Sequence, residues 1–417
     1  MWISLQNWLK TLVERGFFYL FTANIWSQVI GFSTSLAVAR LISPAELADA
    51  KILQSVVIVF LVLGGAGFNA AALKFCAENR PEAERLGLLG FSFRWDMATT
   101  ALSLALLFIL TITGVVVSTA DLRGWLLLYA AAIPFIVLTD LLIVYLQATG
   151  EIRSMSAVQA VNRVITFAAI VAGTWFGGLG GFVIGSFVAE VLSVAYPLWK
   201  VGGRFFRSRP VQLPVGFYAL AGFSLLTNAA LILGQYGDMF ILDHFVADRA
   251  AIGHYALATY FALAAMQITT TLQAILIPAF SRNAHDRAWV QHNLLQNQLF
   301  LSAASIFVAV GVWLAAWVIV QFLYGPAYAP TMNYLAVLLL RYIIFSAGAV
   351  MIAAYNGLGR VSWNLVAVGI ATPVGLLLSY GLQKDFGVLG VAWAQVGAAV
   401  ILLIILWAWQ SVLKFRP

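Results

Sequence analysis

Charge is what this chain has least of. Only 9% of its 417 residues are Asp, Glu, Lys or Arg, against about 25% in an ordinary soluble domain. A soluble fold is excluded on that ground. Cysteine is almost absent. The single Cys76 rules out an intrachain disulfide and any multi-cysteine metal site. No G-x-x-x-x-G-K-[ST] string occurs, so the chain carries no P-loop for ATP hydrolysis. His285 and His292 are spaced too loosely for a metal site, and no metal or resident cofactor is expected. Residues 1–15 show no cleavable signal.

What is present is apolar sequence. Hydrophobic residues make up 62% of the chain, and mean hydropathy is +0.94. Runs near the roughly 20 residues needed to cross a bilayer recur throughout. The expected fold class is therefore an all-α integral membrane protein. Twelve transmembrane helices are read at about 17–39, 52–73, 97–118, 125–148, 154–176, 181–202, 216–242, 252–279, 298–323, 332–357, 361–382 and 389–412. Before the first span, Trp2, Leu5, Leu9 and Leu12 share one helical face. That is the pattern of an interfacial helix over 1–15 lying on the membrane.

Lys and Arg set the orientation. With the N-terminus inside, sixteen of the 23 fall in inside segments. Five fall in outside loops: Arg40, Lys51, Arg123, Arg249 and Lys384. Arg163 and Arg341 lie within spans. Both termini are expected in the cytoplasm. The same bias accounts for the net charge of +7, so nucleic acid is not implied as a partner.

A weak internal repeat runs at an offset of 205 to 210. "SPAELADA" (43–50) aligns with "DRAAIGHY" (248–255), and "GGLGGFVIGSFVAEVL" (177–192) with "GVLGVAWAQVGAAVIL" (387–402). The expected organisation is an N-terminal six-helix half, 1–202, a basic cytoplasmic linker, 203–215, and a C-terminal six-helix half, 216–417. Six spans per copy is even, so the halves run parallel, related by an axis along the membrane normal with a cavity between them.

Charges inside a bilayer are costly and mark candidate sites. Arg163 sits roughly 14 Å into span five, at 1.5 Å per residue, and Arg341 at a similar depth in span ten. An arginine fork suits phosphate oxygens, so both are candidate head-group ligands. The alternative for Arg163 is a structural pair with Asp140. Asp140 and Glu190, near mid-depth, are candidate groups for a coupling Na+ or H+, or else structural partners. Asp238 is a candidate of the same kind, or a helix cap. Asn24 and Gln28 on span one, and Asn228 and Gln235 on span seven, are candidate cavity-lining residues. Ordinary interhelical hydrogen bonds are the competing reading for these four. Proline interrupts three spans, at Pro134, Pro197 and Pro373.

The stretch "QYGDMFILDHFVADRAAIGHYALATYFALAAMQITTTLQAILIPAFSR" (235–282) resembles the core of the Wzx-type polysaccharide flippases. The family's Asp–turn–"vGlYala"–helix–"lPalSr" string matches it. "LAVARLISPAELADAKIL" (36–53), "LGGAGFNAAALKF" (63–75), "LQATGEIRSMSAVQ" (146–159), "QFLYGPAYAP" (321–330) and "YNGLGRVSWN" (355–364) are similar to further family strings in the same order. Ala48 stands where the family usually has glycine. The resemblance implies the fold of the multidrug/oligosaccharidyl-lipid/polysaccharide (MOP) exporters, MATE-like. It also implies a non-enzymatic flippase of undecaprenyl-pyrophosphate-linked oligosaccharide, acting from the cytoplasmic to the periplasmic leaflet of the bacterial inner membrane. Partners would be that substrate, membrane lipids and the polysaccharide polymerase machinery, with O-antigen-like surface polysaccharide as product. A polymerase or ligase is disfavoured because the outside loops are short. A major-facilitator carrier is disfavoured because "KFCAENRPEAERLGLLG" lacks the G-x-x-x-D-R-x-G-R signature. A multidrug or small-solute secondary transporter remains the alternative.

Overall fold

The computed structural model describes residues 17–65, 67–78, 80–208 and 211–415, with side chains over 26–409 outside the same gaps. The expected interfacial helix, 1–15, and the side chain of Asn24 lie outside the described residues. Among the described residues every regular element is helical. Lipid offers the backbone no hydrogen bonds, and a helix satisfies its own.

The helices are α1 (Phe17–Leu41), α2 (Pro44–Gly65), α3 (Phe68–Ala77), α4 (Glu82–Ile112), α5 (Ala120–Ala130), α6 (Ile133–Ala148), α7 (Ile152–Ser193) and α8 (Ala195–Val201). They continue as α9 (Phe217–Phe245), α10 (Arg249–Arg282), α11 (Arg287–Ile319), α12 (Thr331–Gly357) and α13 (Val361–Phe415). Nine helical stretches among the described residues are long and apolar enough to cross a membrane. Two of them, Ile152–Val201 and Val361–Trp409, are 50 and 49 residues long, about twice what one crossing needs.

Each double-length stretch turns at a glycine. Gly178 has φ 55° and Gly387 has φ 56°, left-handed values that a side chain resists. Residues equidistant from each turn then meet. A Cβ on Gly181 would strike the Gly173 carbonyl, and one on Gly185 the Ala169 carbonyl. In α13, Gly390 meets the Leu382 carbonyl and Gly375 the Ala398 methyl. Lipid is as apolar as leucine, so close approach of small residues holds such helix pairs together.

Two helices start differently from the sequence reading. α4 begins at Glu82, well before the edge expected at 97. Gly87, Leu88, Leu89 and Gly90 are buried, and the charged Arg94 and Asp96 interrupt the apolar pattern. α11 likewise begins at Arg287, before the edge expected at 298. Asp286 caps it by accepting from Trp289 N at 2.9 Å, and the Trp289 ring packs on Phe280 at 5.8 Å.

The chain divides into two compact units: Met1–Ile42 with Leu53–Ala229, and Ser43–Ile52 with Ala230–Pro417. The first has a core of Phe75, Leu88, Leu142, Phe205 and Phe217. The second packs Phe280, Leu294, Met351, Tyr355 and Leu406, and the Tyr355 hydroxyl donates to the Leu406 carbonyl at 2.8 Å. Large apolar side chains also cover the outside: Phe176 is 86% exposed and Phe322 80%. In water that surface would aggregate. In a bilayer it faces its solvent.

Candidate functional site

The second unit is built around the start of α2. "SPAE" is a capping box followed by a proline suited to the first helical turn. Ser43 N donates to Glu46 Oε2 at 3.0 Å, and Glu46 N donates to Ser43 Oγ at 3.3 Å. The helix therefore starts at Pro44, and Leu47, Lys51 and Ser55 fall on one buried stripe at a spacing of four. Gly253 at the start of α10 receives this helix end. A Cβ there would collide with the Pro44 carbonyl. Arg249 fixes the same corner, with Nη1 2.7 Å from Asp243 Oδ1 and 3.9 Å from Asp49 Oδ1.

Lys51, which the sequence reading placed in an outside loop, is thereby carried into the unit, and only 3% of it is exposed. Its ammonium lies 5.1 Å from the Tyr236 ring centroid and 4.6 Å from that of Tyr260. It lines a small recess with Gln235, Tyr236, Asp238 and Arg341 as the other main polar residues. Met239, Leu263, Met266 and Leu338 form apolar wall. Asp238 is buried. Its Oδ2 accepts from the Tyr255 hydroxyl at 2.5 Å, while Oδ1 has no hydrogen-bond partner. Arg341 acts on Asp238 electrostatically, yet no ion pair within 4.0 Å joins them among the described residues. Two cations thus face one carboxylate, and the cavity has a net positive lining suited to an anion.

The structure brings together three residues singled out from the sequence: Gln235, Asp238 and Arg341. Asn228 does not join them. It is exposed, donates to Ser224 Oγ at 3.4 Å, and belongs to the first unit.

The first unit holds a second charged group. Asp140 on α6 and Glu190 and Arg163 on α7 act on one another electrostatically. No ion pair within 4.0 Å forms among the three. Asp140 and Arg163 lie at the surface of the isolated chain, each within a helix. Arg163 extends over α1: its Nη1 stands 4.0 Å from where a Cβ of Gly31 would be. Gln28, one turn earlier on α1, is also accessible. Pro134 follows a break at Ala131–Ala132 that divides the apolar stretch Ala120–Ala148 into α5 and α6. Pro373 lies inside α13.

Sequence reasoning missed Lys51, Tyr236 and Tyr255. The capping box at Ser43–Glu46 was the readable signal for Lys51, since it starts the helix early enough to enclose the lysine. The tyrosines gave no signal, because a bilayer protein has aromatic residues everywhere.

Charged side chains lining a recess, on a bundle of membrane-length apolar helices, define a multi-pass membrane protein. Comparison with known proteins agrees. The family model described as "Polysaccharide biosynthesis protein" matches residues 13–284, and the chain belongs to that family. The amylovoran biosynthesis protein AmsL of Erwinia amylovora is 23% identical over 225 residues, 51% of this chain and 57% of that protein. The match therefore spans little more than half the length of that curated relative. Among solved structures, the inward-facing conformation of a multidrug resistance MATE family transporter of the MOP superfamily superposes with a TM-score of 0.79 at 14% identity. It covers 93% of this chain and 95% of that one. Lipid II flippase MurJ, in an inward closed conformation, gives 0.77 at 16% identity, covering 94% and 87%. At such identities the likeness establishes the fold.

Proposed function

We propose that this protein is a flippase that carries undecaprenyl-pyrophosphate-linked oligosaccharide from the cytoplasmic to the periplasmic leaflet by alternating access. The observation that supports it best is the cavity of the second unit. There Lys51 and Arg341 offer a point charge and a planar fork to phosphate oxygens, in a chain of the polysaccharide biosynthesis family. Arg163 presents the first unit's guanidinium to the same class of ligand. Asp140, Glu190 and Asp238 are the groups for a coupling Na+ or H+. Gln28, Gln235, Asn228 and Asn24 are the neutral polar residues of the path. The six-span halves 1–202 and 216–417, joined through 203–215, are the moving parts, with both termini in the cytoplasm of a bacterium. The delivered glycan goes to a polysaccharide polymerase.

Export of cationic drugs is the second reading, favoured by the MATE-type fold. The lining opposes it, because Lys51 and Arg341 outnumber Asp238. Proteoliposomes decide between the two. Protein-dependent flipping of a fluorescent lipid-linked oligosaccharide, without uptake of a cationic dye, is the expected result. Dye transport without flipping overturns the proposal.

A further inference from the structure

One carboxylate, Asp238, lines the recess of the second unit together with two cations, Lys51 and Arg341. Each cation acts on it electrostatically. Only 3% of Asp238 is exposed, and salt screens charges little at such a place. A charge in that setting is costly unless an opposite charge or a set of hydrogen bonds offsets it. With no anion bound, Asp238 is the negative charge that the recess itself supplies.

The fold holds this carboxylate by one oxygen. Tyr255, on the first turns of α10, is 0% exposed, and its hydroxyl donates to Oδ2 at 2.5 Å. The Tyr255 ring meets that of Tyr334 edge-on at 6.2 Å. The close approach of Gly253 to the Pro44 carbonyl fixes the helix start from which Tyr255 projects. Oδ1 is buried and has no hydrogen-bond partner. A bidentate bridge to Arg341 would use both oxygens, but Tyr255 engages one of them. No ion pair within 4.0 Å joins Asp238 to Arg341. The charges are thus balanced at a distance rather than locked in a bridge. A diphosphate entering the recess carries more negative charge than Asp238 does. It would satisfy the two cations and find in Asp238 a like charge.

We propose that Asp238 is the internal counter-anion of the recess: it offsets Lys51 and Arg341 while no ligand is present, and it repels a bound phosphate ligand, which keeps affinity low enough for release. The inference rests on the anion reading of this recess and gives Asp238 a task besides ion coupling.

The test is calorimetric titration of inorganic pyrophosphate, with inorganic phosphate in parallel, into the purified full-length protein in detergent at low salt. Asp238→Asn keeps the size of the side chain and an acceptor for Tyr255 and removes the charge. It should bind pyrophosphate more tightly than the wild type, on the order of tenfold. Its gain for inorganic phosphate should be smaller, because repulsion grows with the charge of the ligand. If two uncompensated cations keep Asp238→Asn from folding, Asp238→Asn is combined with Lys51→Met, which removes one charge of each sign. The double variant should then bind pyrophosphate more tightly than Lys51→Met alone. Equal or weaker binding on removal of the carboxylate overturns the proposal, and equal binding is the result if Asp238 is neutral. A gain of the same size for both anions overturns it as well, since shape and not charge would then be at work. No pyrophosphate binding by any of these proteins refutes the anion reading of the recess, and this inference with it. Binding by the wild type that Asp238→Asn does not improve refutes the inference and leaves that reading standing.

Discussion

Replacing Lys51 with methionine isolates the charge on which the cavity's anion preference depends. Methionine keeps the length of the lysine stem and is apolar enough for a site 3% exposed. The fold loses two cation–π contacts, at 5.1 and 4.6 Å, each worth about 0.5–2 kcal/mol. A thioether against the same rings restores roughly 0.3–1.5 kcal/mol per contact, so melting should fall only modestly. The ligand loses a charge-assisted hydrogen bond worth about 1.5–3 kcal/mol. That is a weakening of about 10- to 150-fold. The assay is calorimetric titration of inorganic pyrophosphate into detergent-solubilised protein at low salt. Lys51→Arg retains most of the affinity, and the salt dependence of wild-type binding is steeper than that of Lys51→Met. Pyrophosphate binding as tight in Lys51→Met as in the wild type, with the fold intact, refutes the assignment of this cavity to an anion.

Three further outcomes follow from the local structure. Gly253→Ala places a methyl against the Pro44 carbonyl, a backbone atom that cannot rotate away; a cost of about 1–3 kcal/mol is expected, read as a lower melting temperature together with weaker pyrophosphate binding. Ser43→Ala removes the cap that starts α2 and should cost about 0.5–2 kcal/mol, with Lys51 becoming more accessible to amine-reactive labels in the native protein. Burial pushes the Cys76 thiol up from 9.0 to about 12, against a smaller opposing pull from Arg85 and Arg80. Its thiol form is therefore retained on folding. That contribution to stability is fully present below the unfolded value and is lost as pH rises toward about 12. Maleimide should leave Cys76 unlabelled at neutral and mildly alkaline pH and label it on denaturation in SDS; rapid native labelling contradicts the burial.

The membrane class and helical fold were legible because composition and run length reflect the solvent directly. The breaks at Gly178 and Gly387 were legible as gaps between apolar runs, although their closeness was not: only the carbonyl positions show that Gly173 and Gly181 touch. Asp238, Gln235 and Arg341, which line one recess, were singled out because a polar residue within an apolar run stands out. Lys51 was lost for the opposite reason. It sits at the edge of a run, and an edge charge reads as a loop unless the Ser43–Glu46 cap is weighed first. The start of α4 was misplaced in the same way, since Arg94 and Asp96 pulled the expected edge to residue 97. Partners across the fold, such as Tyr255 for Asp238, depend on how α10 packs, and no spacing within one helix encodes that.

A structure of the protein with a polyprenyl diphosphate lipid bound would test the central claim most directly. The diphosphate is expected within hydrogen-bonding distance of the Arg341 guanidinium and the Lys51 ammonium. A diphosphate held elsewhere, with both side chains unchanged and turned from it, would contradict the account.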